Sequence, residues 1–306
     1  MPLEEGGLGI KKLHEWNVAT MGKHLWQLCL PSPSSSWAVW ARANLLKGRS
    51  LWEINIPNDS SWTWRKILRL RPIFRPLIKH HIGDGGDTSL WFDNWMPLGP
   101  IHEAMGNRVI YDSGLSKDAR VQAIIHGNRW QWPVANSMEL ITLKEITQNI
   151  PPPANDRRDR TIWCPSSQGN YTTSSAWNYF RVSKNQVNWY TLVWFRGRLP
   201  RAAVFLWLAV KGKLGTQDQL FQLVPGILYL FCGACLETHG HLFFACPATN
   251  QIWARILHKG NFSTPNLPWK ELVCWMTNHW HGNTFTAITK NYAFLYLYIK
   301  SGRKEI

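Results

Sequence analysis

A run of cysteine and histidine residues in the last third of the chain constrains its fold more than any other feature. The segment FCGACLETHGHLFFACP contains Cys232, Cys235, His241 and Cys246, separated by two, five and four residues. Zinc in structural sites takes four thiolate or imidazole ligands in a tetrahedron, and a two-residue gap lets two thiolates reach the same ion. The spacing therefore predicts one structural zinc ion held by these four side chains.

The fourth ligand has an alternative, because His239 follows Cys235 after three intervening residues. His241 is preferred because it leads directly into the helix predicted to carry Cys246. The apolar residues 242–244 can pack beneath the ion. Four protein ligands leave no open coordination position, so the predicted site is structural rather than catalytic. The competing interpretation is a set of small buried cysteines beside surface histidines.

The charge balance of the chain points to a polyanionic partner. Its 306 residues include 34 Lys and Arg but 19 Asp and Glu, a formal net charge of +15. Such an excess favours RNA or DNA as the partner, with an anionic membrane as the second choice. No stretch approaches the roughly 18 consecutive apolar residues of a membrane span, and the N-terminus lacks the apolar run of a secretory signal. We therefore expect no membrane association and a nuclear or cytoplasmic location, not secretion.

Two clusters of basic residues are the candidate nucleic-acid surface. The first runs from Ser61 to His81 without an acidic residue, and the second precedes an apolar helical segment. Lys and Arg neutralise phosphates, and interleaved aromatic residues can stack on unpaired bases. The competing interpretation is a solvated basic face around a core rich in Trp. The candidate residues are Arg65, Lys66, Arg69, Arg71, Arg75, Lys79, Arg196, Arg198 and Arg201.

Helical spacing gives the first cluster a defined geometry. On a helix that continues to Leu70, the three cations between 65 and 69 lie three or four residues apart and share one face. Trp64, Ile67 and Leu68 fall on the other side, where they are expected to anchor the helix in the core.

The pattern along the chain predicts a mainly α fold with small β hairpins. Helical patterns cover 13–25, 61–71, 139–150, 201–210 and 248–260. A turn with a strand pair is predicted for 81–95, and a further β segment near 163–173.

Three consecutive prolines at 151–153 suggest a domain boundary. The predicted organisation is an α-rich region over 1–100, a linker over 101–160, a helical zinc-knuckle domain over 161–260 and a helical tail over 261–306.

The acidic residues do not predict an active site. Two-metal nucleotidyl transfer needs paired carboxylates, yet the chain has no Asp-Asp dipeptide. Asp84, Asp87 and Asp93 are close in sequence, but they fall on the predicted turn. No phosphate-binding loop and no hydrolase motif occurs. A purely protein-binding domain with structural zinc remains as an alternative to nucleic-acid binding.

Several motifs, in order, resemble the C-terminal part of plant non-LTR (LINE-type) retroelement reverse transcriptases, including their zinc-binding domain. The matching segments are GGLGIKKLHEWNVATMGKHLWQL, HIGDGGDTSLWFDNW, Trp163, Gly169–Tyr171, Ser175–Trp177, Trp194, Pro200, Phe205–Leu208, Leu214, Thr216, the Cys/His motif and Trp253. The resemblance implies a nucleic-acid-binding, zinc-containing region of such an enzyme.

The resemblance also defines what this chain is expected to lack. In the family, an endonuclease and a polymerase with a paired-aspartate motif lie upstream, and some members carry a ribonuclease H domain downstream. This chain begins at Met1, immediately before GGLGI, and ends at Ile306. We therefore expect a truncated copy without catalytic residues. The alternative that the resemblance implies is residual polymerase or ribonuclease H activity.

Overall fold

The structure is a computed structural model whose described residues form two compact units. It describes residues 1–127, 129–134, 137–151, 157–216, 218, 232–233, 238–280, 290–291 and 293. The first, here called the central unit, is Lys12–Val182. The second, the terminal unit, combines Met1–Lys11 with Ser183–Ile306.

The central unit is built from short helices and two pairs of very short strands. In its described residues the α-helices are α1 (Leu13–Cys29), α2 (Ser36–Ala41), α3 (Trp62–Arg69), α4 (Arg71–Phe74), α5 (Ile101–Met105), α6 (Arg108–Ser113), α7 (Met138–Gln148) and α8 (Thr173–Phe180). A π-helical segment, Arg42–Leu46, follows α2. Its strands are β1 (Ile78–His81), β2 (Ile125–His126), β3 (Arg129–Trp130) and β4 (Arg160–Trp163). The strands pair antiparallel as β1 with β4 and β2 with β3.

One core of the central unit forms where α1 packs against α3 and α8. α3 begins at a Ser61 cap, whose side chain accepts a hydrogen bond from the backbone N–H of Trp64. Its inward-facing residues Trp64, Ile67 and Leu68 are at most 3% exposed, as their spacing predicts. Beneath them, the rings of Phe74 and Trp163 stack with centroids 5.5 Å apart. Because α4 and β4 supply these two rings, segments distant in sequence share one core.

A second core in the central unit collects the Trp-rich segment after β1. Trp91 and Trp95 are buried, and their indole N–H groups donate to the carbonyl oxygens of Ser116 and Leu90 at 2.9 and 3.0 Å. Buried indoles with satisfied N–H groups are typical core residues. The segment 101–160, which the sequence predicts to be a linker, contains α5 to α7, whose apolar side chains complete this core.

The two cores of the central unit meet at Trp52, which packs against both. Its indole N–H donates to Asp93 Oδ1 at 3.0 Å. The guanidinium of Arg75 lies 5.2 Å from the centre of the Trp52 ring. A cation over an indole face is stabilised by the ring's quadrupole, so Arg75 and Trp52 hold this junction together.

A buried carboxylate, that of Asp159, organises the loop that follows β1. Its two oxygens accept from the backbone N–H groups of Gly83, Gly85, Asp87 and Thr88 at 2.7 to 3.1 Å, and from the Thr88 hydroxyl at 2.7 Å. Asp159 is only 6% exposed. A buried charge is tolerated when hydrogen bonds replace its water shell, and here the loop supplies them.

This loop replaces the hairpin that the sequence predicts for 81–95, and that prediction is wrong. β1 ends at His81, and its partner is β4, with Ile78 opposite Trp163 and His81 opposite Arg160. The N–H groups that a hairpin ladder would have used are bound to Asp159 instead. The β segment predicted near 163–173 is observed earlier in the chain, as β4, which ends at Trp163.

Two glycines let the loop approach its surroundings closely. A Cβ on Gly83 would lie 2.1 Å from the carbonyl oxygen of Arg157. Gly85 has φ +74°, and a Cβ there would lie 2.6 Å from the backbone nitrogen of Gln122. Neither position has room for a larger residue, and the second also needs the left-handed backbone that glycine adopts easily.

In the terminal unit, the first residues of the chain pack against residues after 183. The backbone N–H of Val187 donates to the Glu4 carbonyl at 2.9 Å, and the indole N–H of Trp207 donates to the Gly6 carbonyl at 2.9 Å. In the described residues of this unit the α-helices are α9 (Tyr190–Val193), α10 (Pro200–Val210), α11 (Pro247–Gly260) and α12 (Trp269–His279), and a π-helical turn spans His241–Ala245.

The described part of the chain is mainly α-helical with short antiparallel strand pairs, which confirms the predicted fold class at that level. The helices predicted near 13–25, 139–150, 201–210 and 248–260 correspond to α1, α7, α10 and α11. Among the described residues, no helix has the length and apolarity required to span a bilayer.

The Asp159 carboxylate is predicted to be a main stabilising group of the central unit. Asp159→Asn keeps one carbonyl oxygen but replaces the other acceptor by a donor, which leaves buried N–H groups without a partner. We expect the free energy of unfolding to fall by about 2–4 kcal/mol, measured by urea denaturation.

The matched control is Asp118→Asn, since Asp118 is exposed. It should change the free energy of unfolding by less than about 0.5 kcal/mol. Equal stability of the two variants would contradict the role assigned to Asp159.

Candidate metal centre and basic surface

A π-helical turn positions two of the predicted metal ligands. It spans His241–Ala245, and Cys246 follows as the N-cap of α11. The backbone N–H of Cys246 donates to the His241 carbonyl at 3.0 Å, a bond between residues five apart. This wider turn places residues five apart on the same side, which an α-helical turn would not do. The four-residue gap in the sequence motif is therefore matched by the local backbone.

The third side chain at this position is Cys232. Its Sγ lies 3.1 Å from His241 Nε2. The ligand atoms of Cys232, His241 and Cys246 all lie within 4.8 Å of one another. A tetrahedral zinc site with ordinary bond lengths has ligand–ligand edges of about 3.5–3.8 Å. Shifts of about 1 Å in the side chains would therefore bring these three atoms to a common ion.

An apolar layer lies beneath these ligands, as the sequence predicts. Leu242 and Phe243 are 6% and 1% exposed, and Cys246 is fully buried beside them. The Phe243 ring stacks on Trp269 of α12 with centroids 4.8 Å apart. Phe244 packs edge-on against Trp253 of α11 at 5.5 Å. The π-helical turn is thus fixed to two helices by aromatic contacts.

His239 lies differently from His241. Its Nδ1 is 3.5 Å from the Thr216 hydroxyl, and it is not among the ligand atoms that converge. Burial lowers the pKa of His239, while the charge of Asp218 acts in the opposite direction. The imidazole near the two thiols is therefore that of His241.

The donor set fits zinc. Two cysteine sulfurs and one imidazole nitrogen form a borderline-soft group, which suits Zn²⁺ better than Mg²⁺ or Ca²⁺. Among the described residues this is the only group of three or more His, Cys, Asp or Glu ligand atoms that converge. The fourth predicted ligand, Cys235, lies outside the described residues.

The candidate nucleic-acid residues on α3 share one face of the helix. Arg65 and Lys66 are half-buried and Arg69 is exposed. In the described part of the chain, none of the three forms an ion pair with an acidic residue. Arg65 makes one long hydrogen bond, 3.4 Å, to the Asn58 carbonyl. Their charges are therefore available to a ligand.

Arg71 and Arg75, by contrast, are bound to the protein itself. Arg71 donates to the carbonyl oxygens of Leu68, Leu51 and Ile54 at 2.8 to 2.9 Å. Arg75 donates to the Phe92 carbonyl at 2.9 Å and pairs with Glu103 at 2.6 Å. Burial lowers the pKa of both guanidinium groups.

The remaining candidates fall in different places. Lys79 is an exposed residue of β1 in the central unit. The terminal unit holds the other three: Arg196 and Arg201 are exposed, while the Arg198 guanidinium lies 5.3 Å from the centre of the Trp194 ring. Each unit thus presents basic residues of its own.

Of the three acidic residues within 81–95, two accept hydrogen bonds inside the protein and the third is exposed to solvent. Asp93 accepts from the Trp52 indole and from the Ser89 backbone N–H at 2.7 Å. Asp84 caps the backbone N–H of Gly86 at 3.0 Å, and Asp87 is exposed. Asp87 and Asp93 line a cleft of about 240 Å³ in the central unit. Local sequence patterns do not reveal the decisive acidic residue of this region, Asp159, because it is remote in sequence from the loop it binds.

Comparison with known proteins supports the interpretation of the Cys/His site. Residues 171–253 match the family described as zinc-binding in reverse transcriptase. This range contains the three converging ligands and the start of α11. The chain therefore contains a region related to the zinc-binding region of reverse transcriptases.

Two proteins of Arabidopsis thaliana are similar to this chain. One, described as "Putative ribonuclease H protein", is 27% identical over 289 residues, which cover 88% of this chain and 45% of that protein. The other, described as "Uncharacterized mitochondrial protein", is 27% identical over 103 residues, 32% of this chain and 66% of that protein. This chain thus spans about half the length of the first relative. No solved structure matches the chain.

We predict that the purified chain contains one zinc ion, measured by elemental analysis. Cys246→Ser should abolish stoichiometric zinc and increase hydrogen exchange over residues 238–260, because metal binding contributes to the folding free energy of such small sites. Cys235→Ser should behave in the same way, since Cys235 is the predicted fourth ligand.

Cys274→Ser is the control, because Cys274 is exposed on α12 and outside the converging group. It should retain zinc, and so should His239→Ala. A chain without stoichiometric zinc, or full zinc content in Cys246→Ser, would refute the assigned ligands.

Proposed function

We propose that this chain is a nucleic-acid-binding protein with one structural zinc ion, related to the C-terminal part of LINE-type reverse transcriptases. In this proposal RNA or DNA is held through phosphate contacts by basic residues. The metal, bound by Cys232, Cys235, His241 and Cys246, stabilises the fold of the terminal unit and takes no part in a reaction.

The observation that carries the proposal is the unpaired charge on α3. Arg65, Lys66 and Arg69 point away from the buried face of the helix and have no acidic partner among the described residues. A protein with a formal net charge of +15 has a strong electrostatic attraction to polyanions. Cations held on one rigid face can contact successive phosphates without reading base edges.

The zinc site supports the proposal through its family relation. The matched family is described by zinc binding in reverse transcriptases, whose substrates are nucleic acids. The ligands are packed on an apolar layer with no second group of converging donors beside them in the described residues. That arrangement suits a metal that maintains the shape of a binding surface.

A catalytic role is less well supported than a binding role. Asp93 is occupied by Trp52 and Ser89, and Asp159 by the glycine loop. These carboxylates hold the fold and are not arranged as a pair for two metal ions. The ribonuclease H description of one relative belongs to a protein of about twice this length.

The α3 face predicts a measurable salt dependence of binding. Arg65→Glu, Lys66→Glu and Arg69→Glu together should weaken binding to all sequences alike. The slope of log K against log salt should become shallower by about 2–3, because each lost phosphate contact removes about 0.7–0.9 from it. Fluorescence anisotropy with labelled oligonucleotides at several salt concentrations measures both quantities.

A matched charge reversal separates the local patch from net charge. Lys12, Lys23 and Lys47 are exposed residues of the same unit, and their combined change to Glu alters the net charge equally. The control should lose much less affinity and keep its slope. Equal losses in both variants would show that α3 has no special role.

The second prediction from this proposal is that the purified chain neither extends a primer nor cleaves an RNA–DNA hybrid with magnesium present. A reverse transcriptase with ribonuclease H activity serves as the positive control. Turnover that survives purification and disappears in Asp84→Asn or Asp87→Asn would show that the chain is an enzyme.

A further inference from the structure

We propose that the α3 face selects single-stranded nucleic acid, because it carries an exposed tryptophan in line with its cations. Trp62 is the first residue of α3 and is 61% exposed. The inference rests on the proposed function, since it names which form of nucleic acid the same surface binds.

Helical geometry places Trp62 on the same side as the charges. At about 100° per residue, Arg65, Lys66 and Arg69 follow Trp62 at positions i+3, i+4 and i+7, all within about 60° of its direction. The rise from Trp62 to Arg69 is about 10 Å. One side of a short helix therefore presents an indole ring followed by three cations.

The exposure of Trp62 is unusual among the aromatic residues of the basic segments. Trp64, Phe74 and Phe195 are at most 6% exposed, and Trp194 is half-buried beneath Arg198. Trp62 is excluded from the core because α3 buries the opposite side, with Trp64, Ile67 and Leu68. Its ring therefore contributes little to packing and is accessible to a ligand at the surface.

An indole ring beside cations fits an unpaired base next to its phosphates. Base–aromatic stacking is tolerant of sequence because every base has a π face, and it is available only when the base is unstacked from its neighbours. In a duplex the bases are paired and stacked, which leaves only the phosphates for the helix. The cations therefore bind either form, and Trp62 adds affinity for the single strand alone.

The test uses the full chain and three labelled oligonucleotides of about 20 nucleotides: single-stranded RNA, single-stranded DNA of the same sequence and the DNA duplex. Trp62→Ala should weaken binding to the single strands about 10-fold and leave duplex binding unchanged. Trp62→Phe should restore most of the single-strand affinity, because it keeps an aromatic face.

A second exposed aromatic residue provides the control. Tyr111 is 84% exposed on α6, and the nearby Arg108 is paired with Asp112. Tyr111→Ala should not change the affinity for any of the three probes. Thermal unfolding of each variant should match that of the unmodified chain, since both side chains lie largely outside the core.

The outcomes separate this inference from the proposed function. Equal effects of Trp62→Ala on single strands and duplex, or no effect on either, would overturn the single-strand selectivity. The proposed function would then still stand if the Glu triple variant loses affinity. If the unmodified chain binds none of the three probes, the proposed function fails and the inference fails with it.

Discussion

The Asp159 carboxylate is the interaction on which the central unit depends. Its position directly before β4 places it at the end of the β1–β4 ladder, while its five hydrogen bonds collect the loop after β1. That loop in turn supports the second core, because the carbonyls of Gly85 and Thr88 accept from the N–H groups of Gln122 and Val121. A single buried anion thus links a strand pair to a Trp-rich core. Its charge makes the link strong, since ionised acceptors form stronger hydrogen bonds than neutral ones.

At the candidate metal site, as at Asp159, the geometry of the backbone determines where the interacting atoms lie. The π-helical turn at His241–Ala245 brings residues five apart to one side, and the rings of Phe243 and Phe244 hold it against α11 and α12. A π-helical turn is less favourable than a regular α-helical one and is frequently found at functional sites. Here a bound ion would offset that cost by linking Cys232 to the turn. The aromatic layer and the metal ligands would therefore stabilise each other.

The basic residues show why composition alone could not locate a binding surface. Arg71 and Arg75 lie only a few residues from Arg69, and all share one basic stretch. Arg71 and Arg75 bind carbonyl oxygens and a carboxylate of the protein, whereas Arg69 has no acidic partner in the described structure. Arginine serves both purposes because its guanidinium can satisfy several acceptors or a phosphate equally well. An arginine binds within the protein where the fold places acceptor oxygens around its guanidinium group, and it is available to a ligand where the fold does not.

The sequence by itself determined the longer helices, the buried face of α3 and the Cys/His motif, because each depends on residues close together in the chain. The capping box at Thr172 and the apolar stretch of α10 are local in the same sense. Only the tertiary structure decided that 81–95 forms a loop, that β1 pairs with β4 and that Trp62 stays exposed. These outcomes depend on contacts between residues far apart in the sequence. The clearest example is the hydrogen bond from Gly83 to Asp159, which are 76 positions apart. Local patterns carry no information about such partners, so the long-range hydrogen bonds to a buried charge had to be seen in the fold.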